Sequence, residues 1–457
     1  AYVDEQVGRL LSAIDSTKTT VVVVGDHGES LGEHGELTHG LLVYQSTLHV
    51  PLILSVPGGE VREPLSTVDV APTIAALAGL SLPEIDGRNI SGGLRPDSTY
   101  GETEYPKTFG WSALTSIRRG NIKLIRGVRS EMFDLTRDPN ETTNIIDTQR
   151  RLYGELARKL DDISKTAIAT SSGTVDEETR SKLASLGYVA PGVNTKPSNK
   201  DPRDMAPLFR RYEEAKGAIP ELQKLVAEDP TNSVFRSTLA RAYKQSGALD
   251  RALTLYRQAV ALAPSDPDAW YNLATALQEA GRSAEAKQVA TEAEKLDPGR
   301  PDVHNVLGVA LVESGDPAGA EAEFRKAIAL DPRNARAYNN LGNVLRITGR
   351  AADAEAAYRK ALEITPTYAD ALNGWGVIAV QQGDSRQAIA RFDAALRVAP
   401  DFYEAQLNRA IALQVSGDRE GASEELRRLL RRLPKGRAYD AQRTAARTLL
   451  GQLPPAR

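Results

Sequence analysis

Three residue types recur at a fixed interval of 34 along the second half of the chain. Proline stands at positions 230, 264, 298, 332, 366, 400 and 434, glycine at 247, 281, 315, 349, 383 and 417, and alanine at 252, 286, 320, 354, 388 and 422. Interlocked periods of this length predict stacked pairs of helices that bury their apolar faces only against neighbouring pairs. The second half is therefore predicted to be an all-α solenoid.

Each residue type suits one place in such a helical pair. Glycine ends the first helix, where the backbone turns into the left-handed region. Alanine allows the second helix to cross the first closely. Proline follows the second helix or opens the next one, where its missing N–H does little harm. We expect a half repeat at 215–230, six units over 231–434, and a basic capping helix or tail at 435–457.

The predicted first helices carry seven asparagines, which are Asn272, Asn305, Asn339, Asn340, Asn343, Asn373 and Asn408. The first helices of such an array line its concave face. A ladder of amide side chains there could hold the backbone of an extended peptide. The alternative is that these asparagines are simply solvated.

The bulk composition excludes several classes of function. A formal net charge of −3 gives no general attraction for nucleic acid. The apolar runs are shorter than the roughly 18 residues that a membrane span requires. The chain has no cysteine, so it contains neither a disulfide nor a thiolate metal site. We therefore expect no nucleic-acid partner and no membrane span.

The first part of the chain, up to about residue 165, shows no repeat and predicts an α/β domain. The β-branched run Thr20–Val24 is typical of a strand buried on both faces. A second strand is expected over Leu48–Val56, and a helix over Val70–Ala78. A hairpin is predicted around Gly120-Asn121. Residues 166–214, rich in small and polar residues at their start, are interpreted as a linker and tail.

A glycine-rich loop follows the first predicted strand and reads GDHGESLGEHGELTHG. Ligands of α/β sheets sit beyond the carboxyl ends of the strands, which is where Asp26 and His27 fall. A carboxylate beside an imidazole is a plausible pair of ligands for a divalent cation, and His39 follows twelve residues later. The alternative is a solvated surface loop. His34 is interpreted as structural, and His304, at a large-residue position of a repeat, as core.

Longer stretches resemble two known families. The segment VVVVGDHGESLGEHGELTHGLLVYQSTLHVPLIL resembles the metal-binding stretch of sulfatases, within the alkaline phosphatase superfamily. Further similar motifs, such as EMFDLTRDPNETTNII, extend the likeness over about 1–190, the C-terminal part of that fold. The repeats, for example YNNLGNVLRITGRAADAEAAYRKALEITP, resemble the tetratricopeptide repeat. The implied fold is a partial alkaline-phosphatase-like sheet with an antiparallel hairpin, followed by an all-α tetratricopeptide solenoid.

The resemblance also implies roles for particular residues. Asp26 and His27 match the pair that holds the catalytic divalent cation, and His39 matches the residue that contacts the sulfate or phosphate. Resemblance favours calcium, whereas the imidazole ligand alone would favour manganese or zinc. The implied partners are a sulfate-ester substrate and a protein or peptide on the concave face of the solenoid. An extracytoplasmic location is implied only by analogy.

The nucleophile of such enzymes comes from the motif Cys/Ser-x-Pro-x-Arg, and the 457 residues do not contain it. We therefore expect the chain to begin midway through its enzyme domain and to be inactive as given. Two alternatives stay open. One is a phosphodiester or phosphonate hydrolase, or a phosphoethanolamine-type transferase, of the same superfamily. The other is a non-catalytic scaffold that binds extended peptides.

Overall fold

The computed structural model describes residues 2–15, 18–55, 64–82, 87–91, 97–166, 199–436 and 439–453. These residues divide into two compact units, one extending to Ser265 and the other beginning at Asp266. Each unit contains its own cluster of buried apolar side chains. None of the described helices is both long and apolar enough to cross a membrane.

The first unit mixes short strands with helices. Its elements are α1 (Tyr2–Ser12), β1 (Val22–Val24), α2 (Gln45–Leu48), β2 (Leu52–Leu54), α3 (Val70–Leu77), β3 (Thr99–Thr103), β4 (Leu114–Arg119), β5 (Ile122–Arg126), β6 (Ser130–Asp134), α4 (Arg150–Thr166), α5 (Pro202–Ala215), α6 (Ile219–Glu228), α7 (Ser233–Gln245) and α8 (Leu249–Leu262). The predicted helix at Val70 is confirmed, and Gly79 follows its end with a φ of 71°.

The first strand differs from its prediction. β1 pairs antiparallel with β2, and this pair forms a sheet of two strands. Val23 and Val24 are 37% and 39% exposed, so the predicted burial on both faces is wrong. A β-branched run indicates an extended backbone, but its burial depends on what covers the sheet, which the run itself does not encode.

The second sheet has four antiparallel strands in the order β3-β4-β5-β6. The predicted hairpin is confirmed: Arg119 pairs with Ile122 across a turn in which Gly120 has a φ of 58°. Side chains of β4, β5 and β6 pack against Leu156 and Leu160 of α4, which are both almost fully buried. This small core covers one face of the four-stranded sheet with helix α4.

The predicted linker is only partly described. Residues 167–198 lie outside the described residues. Residues 202–214, however, belong to helix α5, so the assignment of a linker as far as 214 was wrong for this part. Asp201 caps the helix by accepting the N–H of Arg203, and Phe209 of the same helix is 4% exposed. The helix forms because one of its faces is buried, although Pro207 lies within it.

The second unit consists of helices throughout its described residues. They are α9 (Pro267–Glu279), α10 (Ser283–Leu296), α11 (Pro301–Glu313), α12 (Pro317–Leu330), α13 (Ala335–Ile347), α14 (Ala351–Ile364), α15 (Ala369–Gln381), α16 (Ser385–Val398), α17 (Tyr403–Val415), α18 (Arg419–Arg432) and α19 (Asp440–Gly451). Consecutive helices pair as the period of 34 predicts. A final helix over 440–451 lies within the segment predicted as the capping helix.

The glycine and alanine periods have the predicted structural roles. The six glycines from Gly247 to Gly417 all adopt φ values between 69° and 89° at the ends of first helices. The six alanines from Ala252 to Ala422 are each 0% exposed. A further period of 34 places Gly308, Gly342 and Gly376 against the rings of Phe324, Tyr358 and Phe392. These glycines let an aromatic ring of the second helix lie directly on the first.

Candidate metal and anion site

The glycine-rich loop runs from the end of β1 to the start of α2 and is folded back on itself. The N–H of Ser30 donates to the carbonyl of Thr38 at 2.8 Å, which brings the two ends of the loop together. The N–H of Gly28 donates to the carbonyl of Thr47 at 2.8 Å. A Cβ on Gly28 would lie 2.1 Å from the carbonyl oxygen of Ser46, so only glycine fits there.

This fold places two predicted site histidines face to face. The rings of His27 and His39 stack with their centroids 3.7 Å apart. Nδ1 of His39 lies 3.3 Å from Oε2 of Glu29. One donor atom from each of His27, Glu29 and His39 lies within 4.8 Å of the others. Residues twelve positions apart in sequence therefore share one small cluster of possible cation ligands.

Asp26 lies at the edge of this cluster. Its Oδ1 accepts the N–H of His27 at 2.9 Å, and its Oδ2 lies 3.8 Å from Nε2 of His27. The bond from the His27 N–H is the main cause that lowers the pKa of Asp26. Its side chain is 83% exposed. Asp26 therefore presents an ionised carboxylate beside an imidazole, as a cation site requires.

Sequence reasoning did not include Glu29 in the site. Its place two residues after His27 was a usable signal, because a bend at Gly28 can bring the two side chains together. The carboxylate of Glu29 contacts Nδ1 of His39, ten residues further along the chain. That pairing depends on the closure of the loop and not on local spacing.

A second carboxylate stabilises the loop from inside. Glu36 is 1% exposed, and its Oε1 accepts the backbone N–H groups of Leu41 and Leu42 at 2.6 and 3.3 Å. Burial raises the pKa of Glu36 to about 7. Glu36 therefore acts as an internal cap on the loop and lies apart from the cluster of possible ligands.

His34 has the structural place predicted for it. Its ring stacks on that of Tyr44, with centroids 3.5 Å apart and planes inclined by 6°. Its backbone φ of 55° lies in the left-handed region. Such a conformation in a residue other than glycine is held by surrounding contacts. The stack with Tyr44 is one of them.

His304 is buried in the second unit, as predicted, but in a polar setting. It is 2% exposed. One ring nitrogen lies 2.7 Å from Glu323 and the other 2.9 Å from the carbonyl of Pro298. Glu294 and Glu323 also both pair with Lys326, at 3.1 and 2.8 Å. The ammonium group of Lys326 thus provides a positive charge next to Glu294 and Glu323, the two carboxylates beside His304.

Six of the seven asparagines of the predicted ladder fall in two registers that are one residue apart, and Asn343 belongs to neither. Asn305, Asn339 and Asn373 are 2%, 4% and 5% exposed, whereas Asn272, Asn340 and Asn408 are partly exposed. One residue along a helix turns a side chain by about 100°. The prediction of a single ladder therefore combined a buried row with an accessible one.

Four of the seven asparagines meet in one pocket of about 430 Å³ in the second unit, lined by Asn339, Asn340, Asn343 and Asn373 together with Arg336, Arg346, Tyr368 and Glu404, among others. Oδ1 of Asn339 and Nε of Arg346 are buried and have no hydrogen-bond partner among the described residues. Buried groups of this kind are usually satisfied, so a ligand at this pocket could bond to them.

Comparisons with known proteins agree with this division of the chain. The sulfatase family profile matches residues 1–80. Tetratricopeptide repeat profiles match 210–258, 244–309, 305–369 and 373–437. The chain therefore carries a sulfatase-family segment at its N-terminus, followed by an array of tetratricopeptide repeats.

Particular relatives support the same division. The chain is 31% identical over 175 residues to an uncharacterised sulfatase, YidJ, of Escherichia coli, covering 35% of each protein. It is 33% identical over 167 residues to a choline-sulfatase of Rhizobium meliloti, covering 33% of this chain and 32% of that one. The chain thus spans about a third of the length of these two relatives.

Two of the solved structures that are similar to the chain are tetratricopeptide repeat proteins. One from Parabacteroides merdae has a TM-score of 0.46 at 14% identity and covers 53% of this chain and 97% of its own. One from Thermus thermophilus has a TM-score of 0.37 at 24% identity, with coverages of 40% and 99%.

Proposed function

We propose that the N-terminal segment is part of a metal-dependent hydrolase of sulfate esters, and that the repeats bring a protein or peptide partner to it. The observation that carries the proposal is the convergence of His27, Glu29 and His39 beside Asp26. The likeness to sulfatases supports the choice of ester. The alternative substrate class is that of phosphate esters and phosphonates.

Asp26 and His27 are the residues that would hold the cation. The donors fit a divalent ion, because a carboxylate and an imidazole converge within bonding reach of one point. A bound cation would neutralise the charge on the ester oxygens. Calcium follows from family likeness, whereas a nitrogen ligand favours manganese or zinc on chemical grounds.

His39 would contact the sulfate group, and Glu29 would orient the ring of His39. A carboxylate beside one nitrogen of a histidine fixes the orientation of the ring, as it does around many metal and catalytic sites. The stacking on His27 holds the plane of His39 next to the proposed cation. An N–H of His39 could then donate to a sulfate oxygen.

Two substitutions separate the proposed cation ligands from the anion contact. Asp26→Asn should weaken binding of Mn²⁺ or Ca²⁺ at least about tenfold, since it removes a charged ligand. Glu29→Gln should leave cation affinity within about twofold but weaken binding of inorganic sulfate by the cation-loaded protein several-fold, since His39 loses its orienting carboxylate. Isothermal titration of both variants and the wild type measures each affinity.

The same titrations can contradict the assignment. Equal loss of cation affinity in both variants would make Glu29 a cation ligand and overturn its role toward His39. Unchanged cation affinity in Asp26→Asn would refute the site itself. We also infer that the 457 residues alone hydrolyse no aryl sulfate, since the nucleophile motif is not among them. Turnover that disappears in Asp26→Asn would refute this inference.

A second function, peptide binding by the repeats, is favoured by the polar pocket of the second unit. The buried Oδ1 of Asn339 could accept a backbone N–H of a bound peptide. The partly exposed Asn340 lies beside it in the lining of the pocket. Together these amides match the alternating donors and acceptors of an extended chain.

A displayed library of random dodecapeptides tests this second function. Peptides selected by the wild type should lose at least about tenfold in affinity with Asn339→Ala and Asn340→Ala combined, because two hydrogen-bonding groups are removed. Asn272→Ala is the matched control, since Asn272 lies outside this pocket, and it should change affinity less than twofold. Circular dichroism checks that helicity is retained. Equal affinities of the double variant and the control would contradict the proposal.

A further inference from the structure

We infer that Arg203, on helix α5 at the beginning of the helical array, is a positioning residue for the metal and anion loop, acting through Glu131 and Tyr44. The inference rests on the proposed function, because it concerns the same loop. Helix α5, at the beginning of the helical array, would then help to hold the loop in the conformation that the site needs.

The first link is a buried ion pair. The side chain of Arg203 is 4% exposed, and its Nη1 lies 2.8 Å from Oε2 of Glu131 on strand β6. The rest of the guanidinium is also engaged, since Nε donates to Asp201 at 2.7 Å and Nη2 donates to the carbonyl of Arg129 at 2.7 Å. The bonds from Nε and Nη2 fix the plane of the guanidinium, and Nη1 faces Glu131 as an ion pair without a hydrogen bond. The guanidinium therefore fixes the position of the Glu131 carboxylate.

The second link runs from Glu131 to the loop. The same Oε2 of Glu131 accepts the hydroxyl of Tyr44 at 2.7 Å. Burial, together with the neighbouring carboxylate, raises the pKa of Tyr44, so the phenol keeps its proton and remains a donor. Tyr44 is 5% exposed, and its ring packs on Phe133 of β6 at 6.2 Å. The ring of Tyr44 is therefore held from its hydroxyl end and from one side.

The third link is the stack of Tyr44 on His34. The two rings are almost parallel and 3.5 Å apart, and His34 is the loop residue with left-handed backbone. A Cβ on the neighbouring Gly35 would lie 3.5 Å from Cβ of Ala206, so α5 also contacts the loop directly. His34 lies between His27 and His39 in the sequence. Its conformation therefore controls how the loop closes and whether the two site histidines meet.

These links give α5 a function different from that of a spacer. Arg203 does not touch the proposed site and acts on it through two intermediate residues. It can still affect cation affinity, because side chains bind a cation tightly only when they are held in place before it arrives. The exposed ion pair between Arg129 and Asp204 adds a contact at 2.7 Å between the residue before β6 and α5. Nε of Arg129 also lies 3.4 Å from Oε1 of Glu131, so Arg129 helps to hold the same carboxylate.

Tyr44→Phe and Arg203→Lys test the inference in the full chain. Tyr44→Phe removes one hydroxyl while it keeps the ring stacked on His34, so the protein should fold. We expect both variants to weaken Mn²⁺ binding about tenfold, the loss typical when a group that orients a ligand is removed. Mn²⁺ that binds outside the loop, for example at Glu294 and His304, also binds to Asp26→Asn. The titration of that variant is therefore subtracted from the others.

Lys200→Met is the matched control. Lys200, just before α5, pairs with the buried Asp229, just after α6. Loss of this ion pair destabilises the same unit but removes none of the contacts that link Arg203, Glu131, Tyr44 and His34. Its Mn²⁺ affinity should stay within about twofold of the wild type. Equal affinities of Tyr44→Phe and Lys200→Met, whether both lowered or both unchanged, would overturn the positioning role.

Hydrogen exchange of the metal-free protein separates failure of this inference from failure of the proposed function. The amide of Ser30, bonded to Thr38 across the loop, should exchange about tenfold faster in Tyr44→Phe and at the wild-type rate in Lys200→Met. If the wild type binds no cation but Ser30 responds in this way, the proposed function fails while the link to the loop stands. An unchanged rate in Tyr44→Phe overturns the inference by itself.

Discussion

Trp111→Ala should reduce the free energy of unfolding of the first unit by about 3–5 kcal/mol, the range found when a large buried aromatic side chain is truncated. Trp111 is 1% exposed and stacks on Phe109 with ring centroids 4.9 Å apart. Both rings contact Phe235 of helix α7, at 6.3 and 6.1 Å. The substitution would open a cavity between the sulfatase-like segment and the first helices. Denaturant unfolding followed by circular dichroism measures the loss.

A polar term adds to the loss of packing. Nε1 of Trp111 donates to Oδ2 of Asp229 at 3.1 Å, and Asp229 is 3% exposed. Burial alone would raise the pKa of Asp229, but the bonds from Lys200 and Trp111 outweigh it and hold the pKa below its usual value. Trp111→Phe, which keeps most of the ring and removes the N–H, should cost about 1–3 kcal/mol. Equal effects of the two substitutions would contradict the role assigned to packing.

Gly28→Ala should disrupt the metal and anion loop more than any other single methyl group added there. The new Cβ would stand 2.1 Å from the Ser46 carbonyl oxygen and 3.1 Å from its carbon, and a backbone cannot move aside as a flexible side chain can. We expect a loss of about 2–3 kcal/mol in stability, the upper range for overpacking. The proposed cation affinity should fall with it, because His27 is the adjacent residue. Thermal unfolding and Mn²⁺ titration give the two values.

Gly154→Ala is the matched control for that substitution. Gly154 lies within helix α4, and a Cβ there would meet nothing within 4 Å. Alanine should therefore stabilise the protein by about 0.5–1 kcal/mol through its better helix propensity. If Gly28→Ala were as stable as Gly154→Ala, the close approach of Gly28 to Ser46 would be refuted.

The parts of the structure that could be predicted from the sequence are those specified locally. A left-handed glycine, a small alanine and a hairpin turn each depend on a few adjacent residues, and their positions were confirmed at Gly247, Ala252 and Gly120. The sequence placed His27 and His39 in one glycine-rich loop, and the structure brings their rings together. The period that pairs Gly342 with Tyr358 was equally visible in the sequence and was overlooked.

What could not be predicted depends on contacts between distant segments. The exposure of β1 is set by what lies over the sheet. Helix α5 follows a stretch typical of a linker, and it is helical because Phe209 and Arg203 are buried against the sulfatase-like segment. The buried row of Asn339 and the accessible row of Asn340 differ by one residue, and only the packing of the helices decides which row faces inward.

The aromatic cluster of Phe109, Trp111, Phe209, Tyr212 and Phe235 has a consequence for the exchange of modules between proteins. Recombination that joined a different helical array at the segment 167–198 would leave Phe109 and Trp111 without their partners. A hybrid that retains the chain as far as Ser265 keeps the whole cluster. Natural or engineered swaps of the array should therefore succeed at the later boundary, with the first helices inherited together with the enzyme segment.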